Sequence, residues 1–262
     1  MRALHTAATG MMAQELNVQV ISNNIANMRT TAYKRQRAEF QDLLYEHVSR
    51  VGAQTSSQGN VLPAGIELGS GVKTVGTPRI MTQGSLTQTG KDYDVAIRGE
   101  GFFKITMPDG STAYTRDGSF ELDSQGRLVT ANGNVVQPGI TIPTNATSVT
   151  INAQGQVSVT LSGQTASNTV GQIETVMFIN KAGLKGIGDN LYLETPASGT
   201  PQSGTPSLNG FGDIQQGNLE SANVEAVSEI SDLIAAQRAY EMNAKVISAA
   251  DQMLSATSNL MR

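Results

Sequence analysis

Hydrophobic residues recur every seven positions at both ends of the chain. At the amino terminus, the first position of this heptad is held by Leu4, Met11, Val18 and Ile25, and the second by Ala7, Ile21 and Met28. Gln14 interrupts the second position once. An apolar pattern of this kind, sustained over nearly four repeats, predicts a helix over residues 3–28. Such a helix would be about 39 Å long.

The carboxyl terminus repeats this design. The first heptad position is held by Leu233, Tyr240, Ile247, Leu254 and Met261, and the second by Ile230 and Ala244 together with the polar Gln237, Asp251 and Ser258. The pattern predicts a helix over residues 224–260, about 55 Å long. Asn223 has a side chain of the type that caps helix N-termini, so we expect it to be the N-cap. Glu225 and Glu229 suit the positive start of the helix dipole.

The two apolar stripes have two interpretations. They are either the core faces of an ordinary helical bundle or the seams of a coiled coil, and the pattern predicts no third long helix that a bundle would need. We therefore expect the terminal helices to pair as a coiled coil and to expose surplus apolar surface to neighbouring molecules. The residues expected in this assembly interface are Leu4, Met11, Val18, Ile21, Ile25, Ile230, Leu233, Tyr240, Ile247 and Leu254.

Between the helices the hydrophobic pattern changes to a period of two. Tyr93, Val95 and Ile97, for example, alternate with polar or small residues. Turn-forming pairs stand between such runs, at Asp109-Gly110, Asp117-Gly118 and Asn132-Gly133. Alternating runs separated by these pairs predict antiparallel hairpins in a sandwich or barrel-like domain. The predicted fold class is therefore α+β, with a central antiparallel all-β domain.

The breaker residues divide the chain in the same way. Apart from Gly10, every glycine and every proline lies within residues 52–217, and these residues interrupt helices. We predict a terminal helical assembly domain, two extended connectors and a β-rich outer domain. Their bounds are residues 1–33 and 224–262 for the helical domain, 34–92 and 208–223 for the connectors, and 93–207 for the β domain.

The charge and amino-acid composition exclude several kinds of binding partner and site. The 262 residues have a formal net charge of −4, so no basic face predicts nucleic-acid binding. The basic residues near the first helix, Arg29, Lys34, Arg35 and Arg37, are balanced by nearby acidic residues and are expected on a solvated surface. The absence of cysteine excludes disulfides and thiolate sites. We expect a soluble chain without a cleaved signal peptide, because its N-terminal apolar residues are periodic and no stretch reaches the roughly 20 apolar residues of a membrane span.

No pattern of residues predicts catalysis. His5 and His47 are far apart and lack ligands at metal-binding spacing. The run Asp117 to Asp123 has calcium-loop spacing, but Leu122 stands where such a loop needs glycine. The short Gly99-Glu100-Gly101 run precedes a predicted strand and not a helix, so it is a turn and not a dinucleotide loop. We therefore expect no enzyme activity, no cofactor, no metal and no small-molecule substrate.

Several ordered motifs resemble those of bacterial flagellar rod and hook proteins. They lie at residues 23–27 and 30–35, 94–103 and 114–118, 217–224, 237–241 and 251–254. The N-terminal signature includes Asn23, Asn24, Asn27, Tyr33 and Lys34. Ala32 departs from the family, which usually has glycine at this point. If that position requires a positive φ, alanine is strained there.

The resemblance implies a structural function. Family members leave the cell through the flagellar type III export apparatus without a cleaved signal peptide, and they line a tube with their terminal helices while the β-domain packs outside. The segment near residues 46–65 is similar to the stretch that separates the straight distal rod from the flexible hook. This implies a distal rod subunit of the basal body that spans the periplasm and transmits torque.

The partners implied by the resemblance are copies of the chain in a helical homopolymer, proximal rod subunits, hook subunits, the surrounding basal-body rings and the export apparatus. A hook subunit and a proximal rod subunit are the alternatives within the family. An alternative from a different class is a secreted β-rich adhesin with a coiled-coil stalk. This adhesin would form closed oligomers, whereas a rod subunit would form open tubes.

Overall fold

A computed structural model describes residues 2–49, 64–164 and 166–260. Contacts divide the chain into two compact units. Unit 1 consists of the described residues within Met1–Ala26, Gln36–Pro78 and Glu225–Arg262, and unit 2 of those within Asn27–Arg35 and Arg79–Val224. The described residues within 36–78, from the predicted connector, therefore group with the terminal helices, whereas the rest of both predicted connectors groups with the β-rich region.

Two helices dominate unit 1, and both were predicted from the sequence. Helix α1 is Arg2–Ala26 and helix α2 is Ala226–Leu260. Each prediction is within two residues of the observed bounds. Neither helix contains proline, and the two helices together contain a single glycine, Gly10. Little in either segment therefore opposes a helical backbone. Among the described residues, no helix combines the length and the hydropathy required to cross a membrane.

Helices α1 and α2 run antiparallel and touch at two defined points. Gly10 faces Asn243 so closely that a Cβ atom on residue 10 would lie 2.9 Å from the Asn243 Nδ2 atom. Farther along, the Asn24 Nδ2 atom donates a hydrogen bond of 3.1 Å to the Glu229 Oε2 atom. The two contacts are two heptads apart on each helix. The helices therefore keep one register over this length.

The stripe that α2 turns towards α1 consists of small and polar residues. Glu229, Ala236 and Ala250 are buried and share a heptad position with Asn243. The predicted second seam position lies one residue later and starts at Ile230, which is 49% exposed in the single chain. Small side chains let two helices approach closely, but they contribute only weakly to an apolar heptad pattern.

Unit 1 also contains two antiparallel ladders. Their strands are β1 (Glu39–Asp42), β2 (Tyr45–Ser49), β3 (Ile66–Gly69) and β4 (Val72–Gly76). Strand β1 pairs with β4, and β2 pairs with β3. The flanks of the predicted distal-rod-type segment near 46–65 are thus paired strands. Residues 50–63 of that segment lie outside the described residues.

Unit 2 contains the remaining strands. They are β5 (Leu86–Gln88), β6 (Val95–Arg98), β7 (Phe102–Thr106), β8 (Thr112–Thr115), β9 (Phe120–Leu122), β10 (Leu128–Thr130), β11 (Val135–Val136), β12 (Ala146–Ile151), β13 (Gln156–Leu161), β14 (Ser167–Gln172), β15 (Thr175–Met177), β16 (Lys185–Gly188), β17 (Leu191–Leu193), β18 (Gln202–Gly204), β19 (Asp213–Gln216) and β20 (Asn218–Glu220). A short 3-10 turn, Lys181–Gly183, precedes β16.

The strands of unit 2 pair antiparallel, as the sequence predicts. The largest sheet has nine strands and includes the order β16-β17-β8-β7-β11-β10-β9. A second sheet has the order β12-β13-β14, and β19 pairs with β6 while β20 pairs with β5. The predicted turns at Gly110 and Gly133 have positive φ angles of 83° and 81°. Buried aliphatic and aromatic side chains from both sheets form one core, which includes Phe103, Ile105, Leu128, Val157 and Val159.

Candidate functional site: a buried charge triad and its neighbours

Lys34, Arg116 and Glu220 form a buried charge triad in unit 2. The Lys34 Nζ atom donates a hydrogen bond of 2.6 Å to the Glu220 Oε1 atom. The Arg116 Nε and Nη2 atoms both lie 2.9 Å from the Glu220 Oε2 atom. The side chains of Lys34, Glu220 and Arg116 are 1%, 0% and 6% exposed. The expectation that Lys34 belongs to a solvated surface is therefore wrong.

The backbone supplies the other partners of the triad. Lys34 Nζ also donates to the Thr82 carbonyl oxygen at 2.9 Å, and the Gly84 N–H donates to Glu220 Oε1 at 2.9 Å. Arg116 Nη1 donates to the carbonyl oxygens of Gly99 and Gly101, each at 2.7 Å. These dipoles partly replace the water that the charges lose on burial, which is the condition for a stable buried ion pair.

Glycine is needed where the backbone turns its carbonyl groups towards Arg116. Gly99 and Gly101 have φ angles of 108° and 142°, which side chains rarely tolerate. A Cβ atom on Gly99 would also lie 3.1 Å from the Gly212 Cα atom. The Gly99-Glu100-Gly101 run is a turn, as predicted, and its carbonyl groups hold a buried guanidinium.

The charges of the triad do not cancel. Two cations share one carboxylate, and burial lowers the pKa of Lys34 because desolvation outweighs the attraction of Glu220, while Arg116 adds repulsion. The carboxylate of Glu220 is therefore the counter-charge for both cations. A buried ion pair adds little to stability by itself, but the removal of one partner is strongly destabilising.

Asn223 lies beside the triad and is not the helix cap that the sequence predicts. Its Oδ1 atom accepts a hydrogen bond of 2.8 Å from the Arg35 N–H. Its Nδ2 atom donates to the carbonyl oxygens of Ile80 and Thr82 at 2.8 and 3.0 Å. Helix α2 begins later, at Ala226. The amide thus ties together three chain segments that are far apart in the sequence.

In unit 1, Asn24 has a comparable role. Its side chain is 1% exposed. The Oδ1 atom accepts a hydrogen bond of 2.9 Å from the Gln36 N–H, and the Nδ2 atom donates to the Gln36 carbonyl oxygen at 2.8 Å. Together with the bond to Glu229, these contacts join α1, the chain before β1 and the first turn of α2. A buried amide with several partners is costly to replace.

The structure places the other predicted residues in different surroundings. In the signature, Asn23 is exposed, whereas Asn27 and Tyr33 are half-buried. Of the predicted interface residues, Ile21 is buried, Ile230, Tyr240 and Leu254 are exposed, and Leu4, Met11, Val18, Ile25, Leu233 and Ile247 are half-buried. Helix α2, with 35 residues, is longer than α1, with 25. Given the Gly10–Asn243 contact, Leu254 lies beyond the start of α1.

The acidic run from Asp117 to Asp123 stabilises turns. Asp117 Oδ1 accepts hydrogen bonds from the Ser119 N–H and hydroxyl at 3.0 and 2.8 Å. Asp123 Oδ1 accepts from the Gln125 and Arg127 N–H groups, each at 2.8 Å. Within the described ranges, no three His, Cys, Asp or Glu side chains are grouped so that they could hold a metal ion.

Ala32, which stands where the family usually has glycine, has a backbone conformation with a positive φ. Its φ angle is 55°, and it is 1% exposed. Its N–H donates a hydrogen bond of 2.7 Å to the Glu220 carbonyl oxygen. The position therefore requires a positive φ, and alanine is strained in it.

We expect Ala32→Gly to leave the stability of unit 2 nearly unchanged, because relief of about 1–2 kcal/mol of left-handed strain offsets the loss of one buried methyl group and the added freedom of the unfolded chain. Denaturant unfolding of both proteins measures the difference. Ala131→Gly is the matched control, because Ala131 is exposed and lacks this backbone conformation. It should lower stability slightly. A loss of stability in Ala32→Gly as large as in the control would contradict the strain.

The three motifs around the triad also match known families. Residues 4–34 match the family described as flagella basal body rod protein, and residues 96–159 match the D1 domain of flagellar hook protein FlgE/F/G. Residues 215–260 match the C-terminal region of flagellar basal body rod FlgEFG proteins. Lys34, Arg116 and Glu220 lie one in each matched region. The triad therefore joins the three matched regions.

Relatives match over the whole chain. The flagellar basal-body rod protein FlgG of Caulobacter vibrioides is 57% identical over 99% of both chains. FlgG of Agrobacterium fabrum is 49% identical over the full length of both. The rod protein FlgF of Caulobacter vibrioides is less similar, with 36% identity over 94% of this chain and 91% of its own. By this full-length identity, the chain belongs to the FlgG family of flagellar basal-body rod proteins.

Proposed function

We propose that this chain is a distal rod subunit that assembles with copies of itself into an open helical tube. The observation that carries the proposal is a set of exposed apolar side chains along α2. Val227, Ile234, Met242, Val246 and Met253 are between 45% and 74% exposed. At roughly 100° per residue, Val227 and Ile234 project from the side of α2 opposite the Glu229–Ala236 stripe, whereas Met242, Val246 and Met253 lie along one flank of it. We call these five exposed residues together the outer face.

An outer face of this kind needs a partner. Exposed apolar surface along a helix marks an interaction site, and burial of each large side chain stabilises a contact by about 1.5–3 kcal/mol. A neighbouring copy is the partner that a rod subunit meets repeatedly. When such contacts repeat with a rotation that does not close, they generate a helical filament. The family membership of the chain supports this arrangement.

We also propose that α1 and α2 form an antiparallel coiled coil within each subunit. The Gly10–Asn243 and Asn24–Glu229 contacts, two heptads apart on both helices, support a constant heptad register. The inner seam would use the small residues of α2. The predicted interface residues Leu233, Tyr240 and Ile247 would flank this seam and close the contacts between subunits.

In this proposal the tube is a rigid driveshaft in the basal body. It spans the periplasm, continues the proximal rod, carries the hook and turns inside the basal-body rings. The subunits reach it through the flagellar type III export apparatus without a cleaved signal peptide. The terminal helices would form the inner wall of the tube and the β-rich region its outside, with the division of domains that the sequence predicts.

The test of the distal-rod assignment is deletion of residues 46–65. Ladder β1–β4 and the Leu43–Gly71 backbone bond of 2.8 Å both lie outside the deletion, so the flanks can still pair. We expect rods of the deleted chain to become curved, because the stiffening segment is lost. Negative-stain electron microscopy of basal bodies measures the curvature of the rods. Straight rods would contradict the role of this segment, and closed oligomers of the full chain would favour the adhesin.

A further inference from the structure

The segments that lead the chain into and out of unit 2 are bonded directly to each other. The Ala32 N–H donates to the Glu220 carbonyl oxygen at 2.7 Å, and the Asn223 N–H donates to the Tyr33 carbonyl oxygen at 3.3 Å. Side chains add the Lys34–Glu220 and Arg35–Asn223 bonds. We call these six residues the terminal clamp: Ala32, Tyr33, Lys34, Arg35, Glu220 and Asn223.

The two segments of the terminal clamp run in the same direction. Residues 32 and 34 bond to residue 220, and residues 33 and 35 bond to residue 223, so residue numbers rise together along both. A pull on the two chain ends draws the first segment towards its N-terminus and the second towards its C-terminus. Parallel segments pulled in this way are sheared, so that all of their bonds are loaded at once. Antiparallel segments would instead open one bond at a time.

A third segment braces the terminal clamp. The Ile80 N–H donates to the Arg35 carbonyl oxygen at 2.9 Å, and Gly84 and Thr82 bond to Glu220 and Lys34. Because Lys34 and Glu220 are almost fully buried, water cannot replace their bond as it begins to stretch. Separation would leave two unpaired charges in a medium of low dielectric constant.

We propose that the terminal clamp is the element of unit 2 that carries mechanical force. Force that enters through one terminal segment passes straight to the other, and the β-sheets between them carry none of it until the clamp breaks. This is a property of the single chain and goes beyond assembly, although it gains its use from the torque-transmitting rod proposed above. The clamp would keep the β-rich region folded while the rod is under load.

Single-molecule pulling on the full chain tests the proposal. The native chain has no cysteine, so Met28→Cys and Glu225→Cys provide unique handles on exposed residues between the helices and the clamp, and the pair of helices stays out of the load path. Rupture of the clamp lets unit 2 unfold from Arg79 to Glu220, a stretch of 142 residues that extends the chain by about 500 Å. We expect this release to follow one rate-limiting rupture. At constant force, Glu220→Gln should raise the rupture rate about 100-fold.

Two variants separate the carrying of force from ordinary stability. Val159→Ala opens a cavity in the buried core of β13 and weakens unit 2 at equilibrium, but it lies outside the load path and should leave the rupture rate near that of the native chain. Asn223→Ala keeps the charge triad, removes the side-chain bonds to Arg35, Ile80 and Thr82 and should raise the rate about tenfold. It serves as the second clamp variant if Glu220→Gln fails to fold.

A second pulling geometry completes the test. Asn132→Cys and Gln164→Cys place both handles on exposed residues inside unit 2, so that the terminal clamp is not in the load path. In this geometry Glu220→Gln or Asn223→Ala should break at the same rate as the parent chain. The proposal is overturned if either variant keeps its effect there, if Val159→Ala speeds rupture as much as the clamp variants do, or if β-strands unravel before the clamp opens.

Discussion

Glu220→Gln should remove about 3–5 kcal/mol from the unfolding free energy of unit 2, because it leaves Lys34 and Arg116 buried without a counter-charge. Small domains have about 5–15 kcal/mol in total, so much of the stability of unit 2 depends on this carboxylate. The chain has no tryptophan. Denaturant unfolding is therefore followed by circular dichroism and tyrosine fluorescence.

The matched control is a surface ion pair in the same unit. Arg98 Nη2 lies 2.7 Å from Asp213 Oδ2, but the Arg98 side chain is 62% exposed. Asp213→Asn should cost less than about 1 kcal/mol, because water and salt already screen this pair. Lys34→Met should fall between the two, since Glu220 keeps Arg116 as its partner. Equal losses in Glu220→Gln and Asp213→Asn would show that the triad is no more than a surface pair.

Ile234→Asp should abolish rod growth and leave the folded monomer intact. Ile234 is 45% exposed on the outer face, so a carboxylate there remains hydrated in the free subunit. In the proposed assembly the same carboxylate would be buried against a neighbour without a partner, at a cost of several kcal/mol in every contact. Electron microscopy of basal bodies, in cells that carry only this version of the gene, measures rod growth.

Ile234→Val is the control for this prediction. It keeps the outer face apolar and removes one methyl group, which costs about 0.5–1.5 kcal/mol even in a fully buried site. Rods should therefore still form. Circular dichroism of the purified monomers should be the same for the native chain and both variants. Normal rods and normal swimming with Ile234→Asp would remove the outer face from the proposed assembly.

The parts of the fold that depend on large apolar residues could be predicted from the sequence. The heptads beginning at Leu4 and Leu233 located both helices, and the Asp109-Gly110 and Asn132-Gly133 pairs located turns. The helix seam could not be predicted in the same way. It depends on Gly10 and on alanines such as Ala236, whose small size matters only once another helix lies against them.

The charge triad was missed for a related reason. Lysine, arginine and glutamate are usually solvated, so Lys34 looked like one member of a surface cluster. Nothing in a single sequence pairs it with Glu220, which lies 186 residues away. The available signal was indirect, since each member of the triad lies in or beside a motif that resembled the flagellar family. Ala32 was an exception, because its departure from the usual glycine raised the question of a positive φ at this position, and its φ angle is 55°.

The residues of the triad are far apart in the sequence, and this separation affects the order in which unit 2 can fold. Glu220 bonds to Lys34 across 186 residues and to Arg116 across 104. Contacts between such distant positions form late and slow the folding of a chain. During synthesis, both cations are made long before their shared carboxylate. The buried site around Lys34 and Arg116 therefore stays incomplete until β20 has been synthesised.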